Sequence, residues 1–202
     1  LISPFLAFAL AELFGLSPEL AVGLVLLGAT PGGTLANMFT HLARGETALS
    51  ITMTAISSVV AVITIPLFLG LATDHFGNVG NLDEVNMFSV ALRTFLITVL
   101  PLSIGLYVHH RLGAGAESLR KKLSPVALVL FVLVVVAAII VEFDLIRDNF
   151  SKVAIAALAL NLLAMTISFT LSRVSRLSQR QATAIALELG VHNATVAIAV
   201  AG

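Results

Sequence analysis

Apolar runs long enough to cross a lipid bilayer recur along this chain, and two of them are interrupted by residues that do not belong in a membrane helix. The first interruption is Ala29-Thr30-Pro31-Gly32-Gly33-Thr34-Leu35-Ala36-Asn37, and the second is Glu188-Leu189-Gly190-Val191-His192-Asn193. A bilayer core takes about 20 apolar residues per helix, and within it every backbone polar group needs an internal partner, which leaves helices or closed barrels. Runs of this length predict helices. The chain is 58% hydrophobic and 11% charged with a mean hydropathy of +1.06, against about 25% charged residues in a soluble domain. It is read as an all-α membrane protein. The net charge of +0 gives no sign of a nucleic-acid partner, and with Cys at 0 there is neither a disulfide framework nor a thiolate site.

Seven segments are expected: Leu1–Phe14; Pro18–His41, split at Pro31-Gly32-Gly33; Glu46–Leu71; Val85–Val108; Ser124–Val141; Phe150–Leu171; and Gln179–Gly202, split near Gly190. Leu1–Gly15 has neither a basic leader nor a cleavage site, so it reads as the remainder of a membrane helix rather than a signal peptide. Gly77-Asn78-Val79-Gly80-Asn81 reads as an exposed loop, and Gly113-Ala114-Gly115-Ala116 as a flexible joint between two halves. The order of plain and broken segments fits an inverted repeat whose last helix is missing.

Loop charges supply an orientation. Loop 109–122 holds Arg111, Arg120, Lys121 and Lys122 against Glu117, and loop 172–180 holds Arg173, Arg176 and Arg180 with no acid. The turn at Arg44 falls on the same side. The intervening connections lean acidic, with Asp74, Asp83 and Glu84 in one, and Glu142, Asp144 and Asp148 against Arg147 and Lys152 in the other. By the excess of Lys and Arg on cytoplasmic loops, loops 109–122 and 172–180 are expected in the cytoplasm of a multi-pass protein of the cell (inner) membrane.

Pro31 removes a backbone donor and Gly32 and Gly33 tolerate non-helical geometry, so unwinding is expected there. Unwound backbone can bind a cation through freed carbonyls, and the helix N-terminus after it can attract an anion; a simple proline kink is the plainer alternative. Ser50, Thr54 and Ser57 share one helix face, either as neutral oxygen ligands for a hard cation or as packing hydroxyls. A carboxylate in the bilayer costs roughly 3 kcal/mol or more unless compensated, so Glu188 reads as a cation ligand, a proton carrier or a neutral core acid. Asn193 can donate and accept; His192 can ligate, titrate or pack. Asn161 reads as an interhelical hydrogen-bond partner, and Arg93 as a residue snorkelling to the outer interface.

The block Pro31-Gly32-Gly33-Thr34-Leu35-Ala36-Asn37, continuing through Leu42-Ala43-Arg44-Gly45 and Ala48-Leu49-Ser50 to Thr54-Ala55-Ile56-Ser57, together with Glu188-Leu189-Gly190-Val191-His192-Asn193, resembles the bile acid:sodium symporter family. The resemblance runs the length of the chain and suggests a bacterial member. It implies an inverted-repeat transporter of about ten helices, with two discontinuous crossing helices in a core domain beside a panel domain. About seven of those helices would be present, from within the third to within the ninth. Residues 1–72 would form the first core repeat, 85–141 the panel helices and 150–202 the second core repeat.

The same resemblance implies two sodium ions near the crossing. Asn37, Ser50, Thr54 and Glu188 would hold one. Glu188 would border the other, with the Leu189 and Val191 carbonyls and the side chain at position 192. Pro31, Gly32, Gly33, Thr34 and Asn193 would line the crossing region or substrate cleft. Ala36 stands where the family often has Ser, and His192 where it commonly has Gln. The implied activity is sodium-coupled uptake of an organic anion, bile-acid-like or a smaller carboxylate, by alternating access. Alternatives are proton coupling through Glu188 and His192 or sodium-independent carriage on the same fold, and, in another class, a seven-helix receptor. No nucleophile–base pair or transition-metal cluster can be assembled, so an enzyme is not expected, nor is an obligate protein partner.

Overall fold

The computed structural model describes residues 2–77, 87–113, 115–141 and 143–201, and its regular elements are helices. In order they are α1 (Ile2–Leu13), α2 (Pro18–Ala29), α3 (Thr34–Leu42), α4 (Thr47–Phe76), α5 (Met87–Thr94), a π-helical turn (Phe95–Val99), α6 (Leu100–Leu112), α7 (Gly115–Val141), α8 (Phe143–Val174), α9 (Gln179–Gly190) and α10 (Ala194–Ala201). The helices α4, α5 to α6 taken together, and α8 are long and apolar enough to cross a membrane. Their outer faces carry large exposed apolar side chains, among them Ile63 and Phe88 at 73% and 72% exposure. Such a surface suits lipid rather than water.

The same set of local devices appears twice. After α1, Gly15 adopts φ +55°, Gly15 N–H donates to Glu12 O and Leu16 N–H to Ala11 O, which is the Schellman closure. Ser17 then precedes Pro18, which opens the twelve-residue α2 from a position where its missing N–H matters little. After α8, Arg176 takes the left-handed position at φ 63°, with Arg176 N–H on Arg173 O and Leu177 N–H on Ser172 O. Ser178 then caps the twelve-residue α9 in a capping box with Gln181. Each twelve-residue half-helix ends in a break, at 30–33 and 191–193, before a shorter half-helix resumes. The two breaks meet in one antiparallel bridge, Gly32 to His192, and Asn193 N–H donates to Pro31 O at 3.1 Å.

The core gathers where α1, α2 and α4 pack, around Ala7, Leu10, Val25, Ile65 and Phe68, and extends to Leu160 of α8 and Val196 of α10. Alanines at these contacts let helix backbones approach closely. Phe5 meets Phe68 edge-on at 5.3 Å.

Several boundaries differ from the sequence expectation. Residues 120–122 fall inside α7 and Asp144, Arg147 and Asp148 inside α8, because Arg, Lys and Glu are good helix formers that continue a helix past the bilayer edge. Loop 109–122 is thereby reduced to the connection at Gly113, which has φ +50°. The expected continuous helix Val85–Val108 contains the π turn Phe95–Val99. Pro101 lacks the N–H that would serve Ile97 O, and the shift of register just before it accommodates that loss. Leu1, 78–86 (with most of the expected loop at 77–81, and Asp83 and Glu84), Ala114, Glu142 and Gly202 lie outside the described residues.

Candidate functional site

Glu188 sits on the last turn of α9 at 2% exposure. Its Oε1 accepts from Thr54 Oγ1 at 2.8 Å and its Oε2 from Ser50 Oγ at 3.2 Å. Ser50 and Thr54, one turn apart on α4, therefore hold one oxygen each. Thr54 Oγ1 also lies 3.1 Å from Ser50 O and 3.4 Å from Asn37 Oδ1, and Asn37 Nδ2 donates to it at 3.2 Å. Asn37, Ser50, Thr54 and Glu188 thus form one continuous cluster drawn from α3, α4 and α9.

The cluster is made of neutral oxygens and one carboxylate. Among the described residues no cationic side chain is bonded to Glu188, and no group of three or more His, Cys, Asp or Glu could hold a metal ion. A single buried carboxylate beside hydroxyl and amide oxygens fits a hard monovalent cation, whose charge it balances, better than a transition metal. Burial of an unpaired charge is costly, and an ion here would offset it.

The second break supplies a different neighbourhood. Leu189 O accepts from Ser3 Oγ at 3.3 Å, and Val191 caps α9 with its N–H on Leu187 O. His192 Nδ1 lies 3.0 Å from Asn161 Oδ1. With that oxygen accepting, Nδ1 carries the proton and Nε2 presents a lone pair, buried and unpartnered among the described residues. A cavity of about 120 Å³ is lined here by Ser3, Thr30, Pro31, Gly32, Ser57, Glu188, Leu189 and His192, among others, which is room for several waters. Glu188 lines it, while Ser50 and Thr54 do not.

The crossing leaves little room for a side chain, least of all at Gly32. A Cβ on Gly32 would overlap the Glu188 carboxyl group and approach its backbone oxygen to 2.7 Å, and a Cβ on Gly33 would meet Asn193 Nδ2 at 3.1 Å. Of the residues singled out in the sequence, Thr34 is exposed in the first turn of α3 and Arg93 is exposed on α5, away from the cluster. Ser57 shares the expected face but turns its hydroxyl back to Thr54 O at 3.2 Å. Asn161 of α8, expected to bond to another helix, is instead hydrogen-bonded to His192 in the second break.

Two polar residues of the site were not foreseen. Thr40, fully buried, donates to Ser50 Oγ at 3.3 Å; its place three residues after Asn37 on the same helix face was the available signal. Ser3 offered none, since its apolar partner strand of sequence gives no hint of the distant Leu189.

The family model described as Sodium Bile acid symporter family matches residues 1–149. A probable chloroplastic sodium/metabolite cotransporter of Oryza sativa subsp. japonica is 28% identical over 196 residues, which is 97% of this chain and 45% of that protein. The ileal sodium/bile acid cotransporter of Oryctolagus cuniculus is 30% identical over 197 residues, 95% of this chain and 54% of its own length. An uncharacterized sodium-dependent transporter of Bacillus subtilis (strain 168) is 27% identical over 203 residues, 99% of this chain and 60% of its own length. The chain spans about half the length of the curated relatives it matches. Those relatives are named as transporters, not enzymes.

Proposed function

Because this chain belongs to the Sodium Bile acid symporter family, we propose that it carries the ion-binding half of a secondary transporter that couples inward sodium movement to uptake of an organic anion. The observation that carries this reading is the Glu188 carboxylate, buried at the meeting of two helix breaks and hydrogen-bonded to the hydroxyls of Ser50 and Thr54. Sodium bound among Asn37, Ser50, Thr54 and Glu188 would neutralise the acid and tie α3 and α4 of one repeat to α9 of the other. A second ion, among Glu188, the Leu189 and Val191 carbonyls and position 192, is assigned to the cavity side, where a histidine nitrogen replaces an amide oxygen.

In this reading residues 1–72 and 150–202 form the core and 85–141 the panel, and the anion binds between them beside Pro31, Gly32, Gly33, Thr34 and Asn193. With sodium in place, the core moves relative to the panel and opens the site to the other side. The turn at Arg44 meets the start of α9, where Glu46 N–H donates to Arg180 O at 3.0 Å. That contact puts two of the basic turns at one end of the molecule, which supports placing them in the cytoplasm of a bacterial inner membrane.

The test is accumulation of a bile acid, a steroid sulfate and a short aliphatic carboxylate in proteoliposomes of the intact transporter. Uptake of at least one probe under an inward sodium gradient, absent with choline and absent in Glu188→Gln, is the expected result. Equal uptake without sodium, or uptake driven by a proton gradient alone, would overturn sodium coupling.

A further inference from the structure

Thr40 is fully buried, touches no part of the cavity, and contributes nothing to the carboxylate directly. Its place is nevertheless tightly fixed. Gly45 N–H donates to Thr40 O at 2.8 Å, and a Cβ on Gly45 would come within 2.9 Å of the Thr40 methyl group. Arg44, in the left-handed conformation at φ 56°, turns the chain so that Gly45 closes over Thr40. What this arrangement holds in position is one hydroxyl, 3.3 Å from Ser50 Oγ.

Resting on the sodium reading above, we propose that Thr40 is a positioning residue for the ion: it accepts the Ser50 hydroxyl hydrogen when sodium arrives. In the arrangement described, donation runs from Thr40 to Ser50 and from Ser50 to Glu188 Oε2. A hydroxyl that ligates a cation presents its lone pair to the ion and must aim its hydrogen elsewhere. Ser50 is fully buried, so water does not supply the new acceptor. Among the described residues its hydroxyl makes no bond back to Glu46 O, the carbonyl that takes Ser50 N–H. Its two side-chain partners are Glu188 Oε2 and Thr40 Oγ1, and with Oε2 turned to the ion, Thr40 Oγ1 is the one left to accept.

Thr54 faces the same demand with different means. When it turns away from Glu188 it has Ser50 O at 3.1 Å and Asn37 Oδ1 at 3.4 Å already in place. Ser50 has Thr40. On accepting from Ser50, Thr40 aims its own hydrogen at a carbonyl three or four residues back in α3, as threonine commonly does in a helix. Sodium binding therefore reverses a two-hydroxyl chain, and the ion-bound state needs Thr40 more than the ion-free state does.

Thr40→Val keeps the branched shape and removes the acceptor; Thr40→Ser keeps the acceptor. The experiment is sodium-22 binding to the intact transporter, with sodium titrations of thermal stability. Thr40→Val is expected to raise half-saturating sodium about tenfold, the worth of one hydrogen bond, and to narrow the gap in thermal stability between sodium-free protein and protein at a given sodium concentration relative to Thr40→Ser. Thr40→Ser is expected to restore binding to within about threefold. If Thr40→Val does not fold, Thr40→Cys, a weak hydrogen-bonding group, carries the same expectation. Unchanged sodium affinity in the non-hydroxyl variants would overturn the role of Thr40 and leave the sodium reading standing. A wild type that binds no sodium would overturn both.

Discussion

Gly32 lies against Glu188 so closely that a methyl group on the glycine would overlap the glutamate's carboxyl group and crowd its backbone carbonyl. The first helix break is thus shaped around the acid held by the second. Gly32→Ala is expected to lower stability by about 1–3 kcal/mol through overpacking and to eliminate sodium-dependent stabilisation. Gly23→Ala, in α2 with nothing within 4 Å of its added methyl group, is expected to keep the sodium-dependent stabilisation and to lose no stability, gaining up to about 1 kcal/mol from helix propensity. Thermal melts in NaCl and KCl measure the pair of outcomes.

Thr54 makes the shorter of the two bonds to Glu188, at 2.8 Å. Thr54→Val leaves that carboxylate oxygen without its donor in a buried setting, a loss of about 1–3 kcal/mol. We expect half-saturating sodium to rise by about tenfold or more, and Thr54→Ser to recover most of the loss. Sodium-22 binding reads this directly, and equal affinities for Val and Ser at this position would remove Thr54 from the ligand set.

Gly190 packs against α8, where an added Cβ would overlap Met165 Cγ and meet Asn161 O at 3.1 Å. Gly190→Ala is therefore expected to destabilise by about 1–3 kcal/mol. Met165→Ala clears the flexible half of that obstruction, so the double variant should be more stable than the sum of the single effects predicts, by about 0.5 kcal/mol or more. Additive effects would show that the Asn161 backbone, rather than Met165, sets the limit.

His192, which lines the cavity, presents one nitrogen to Asn161, and the other has no partner among the described residues. Glutamine at this position would retain a hydrogen bond to Asn161 and offer an oxygen in place of a nitrogen, which suits sodium better. His192→Gln is expected to lower half-saturating sodium a few fold and to steepen the binding curve. A curve of unchanged midpoint and slope would mean that position 192 does not face an ion.

Much of this arrangement was legible in the sequence, for reasons that differ by residue. Pro31-Gly32-Gly33 and Gly190 to Asn193 stand out because bilayer-length apolar runs have no other use for them. Ser50 and Thr54 were placed on one face by helical spacing alone. That their face meets Glu188 is long-range packing, which no local pattern encodes. Thr40 was passed over because a threonine on a short half-helix looks the same whether it faces lipid or a buried serine. Charge read as punctuation hides the helical extensions at residues 115–122 and 143–149, and reading Val85–Val108 as continuous through Pro101 hides the π turn before it. In membrane helices charge and proline are often tolerated within the element.

The central claim is that a sodium ion compensates Glu188, and thermal stability of the detergent-solubilised intact transporter tests it most directly. Wild type and Glu188→Ala are compared in NaCl and KCl at equal ionic strength. A saturable upward shift of Tm in sodium for wild type, absent in Glu188→Ala, is the predicted result. A wild type that melts identically in both salts, or a sodium shift that survives the loss of Glu188, would contradict it.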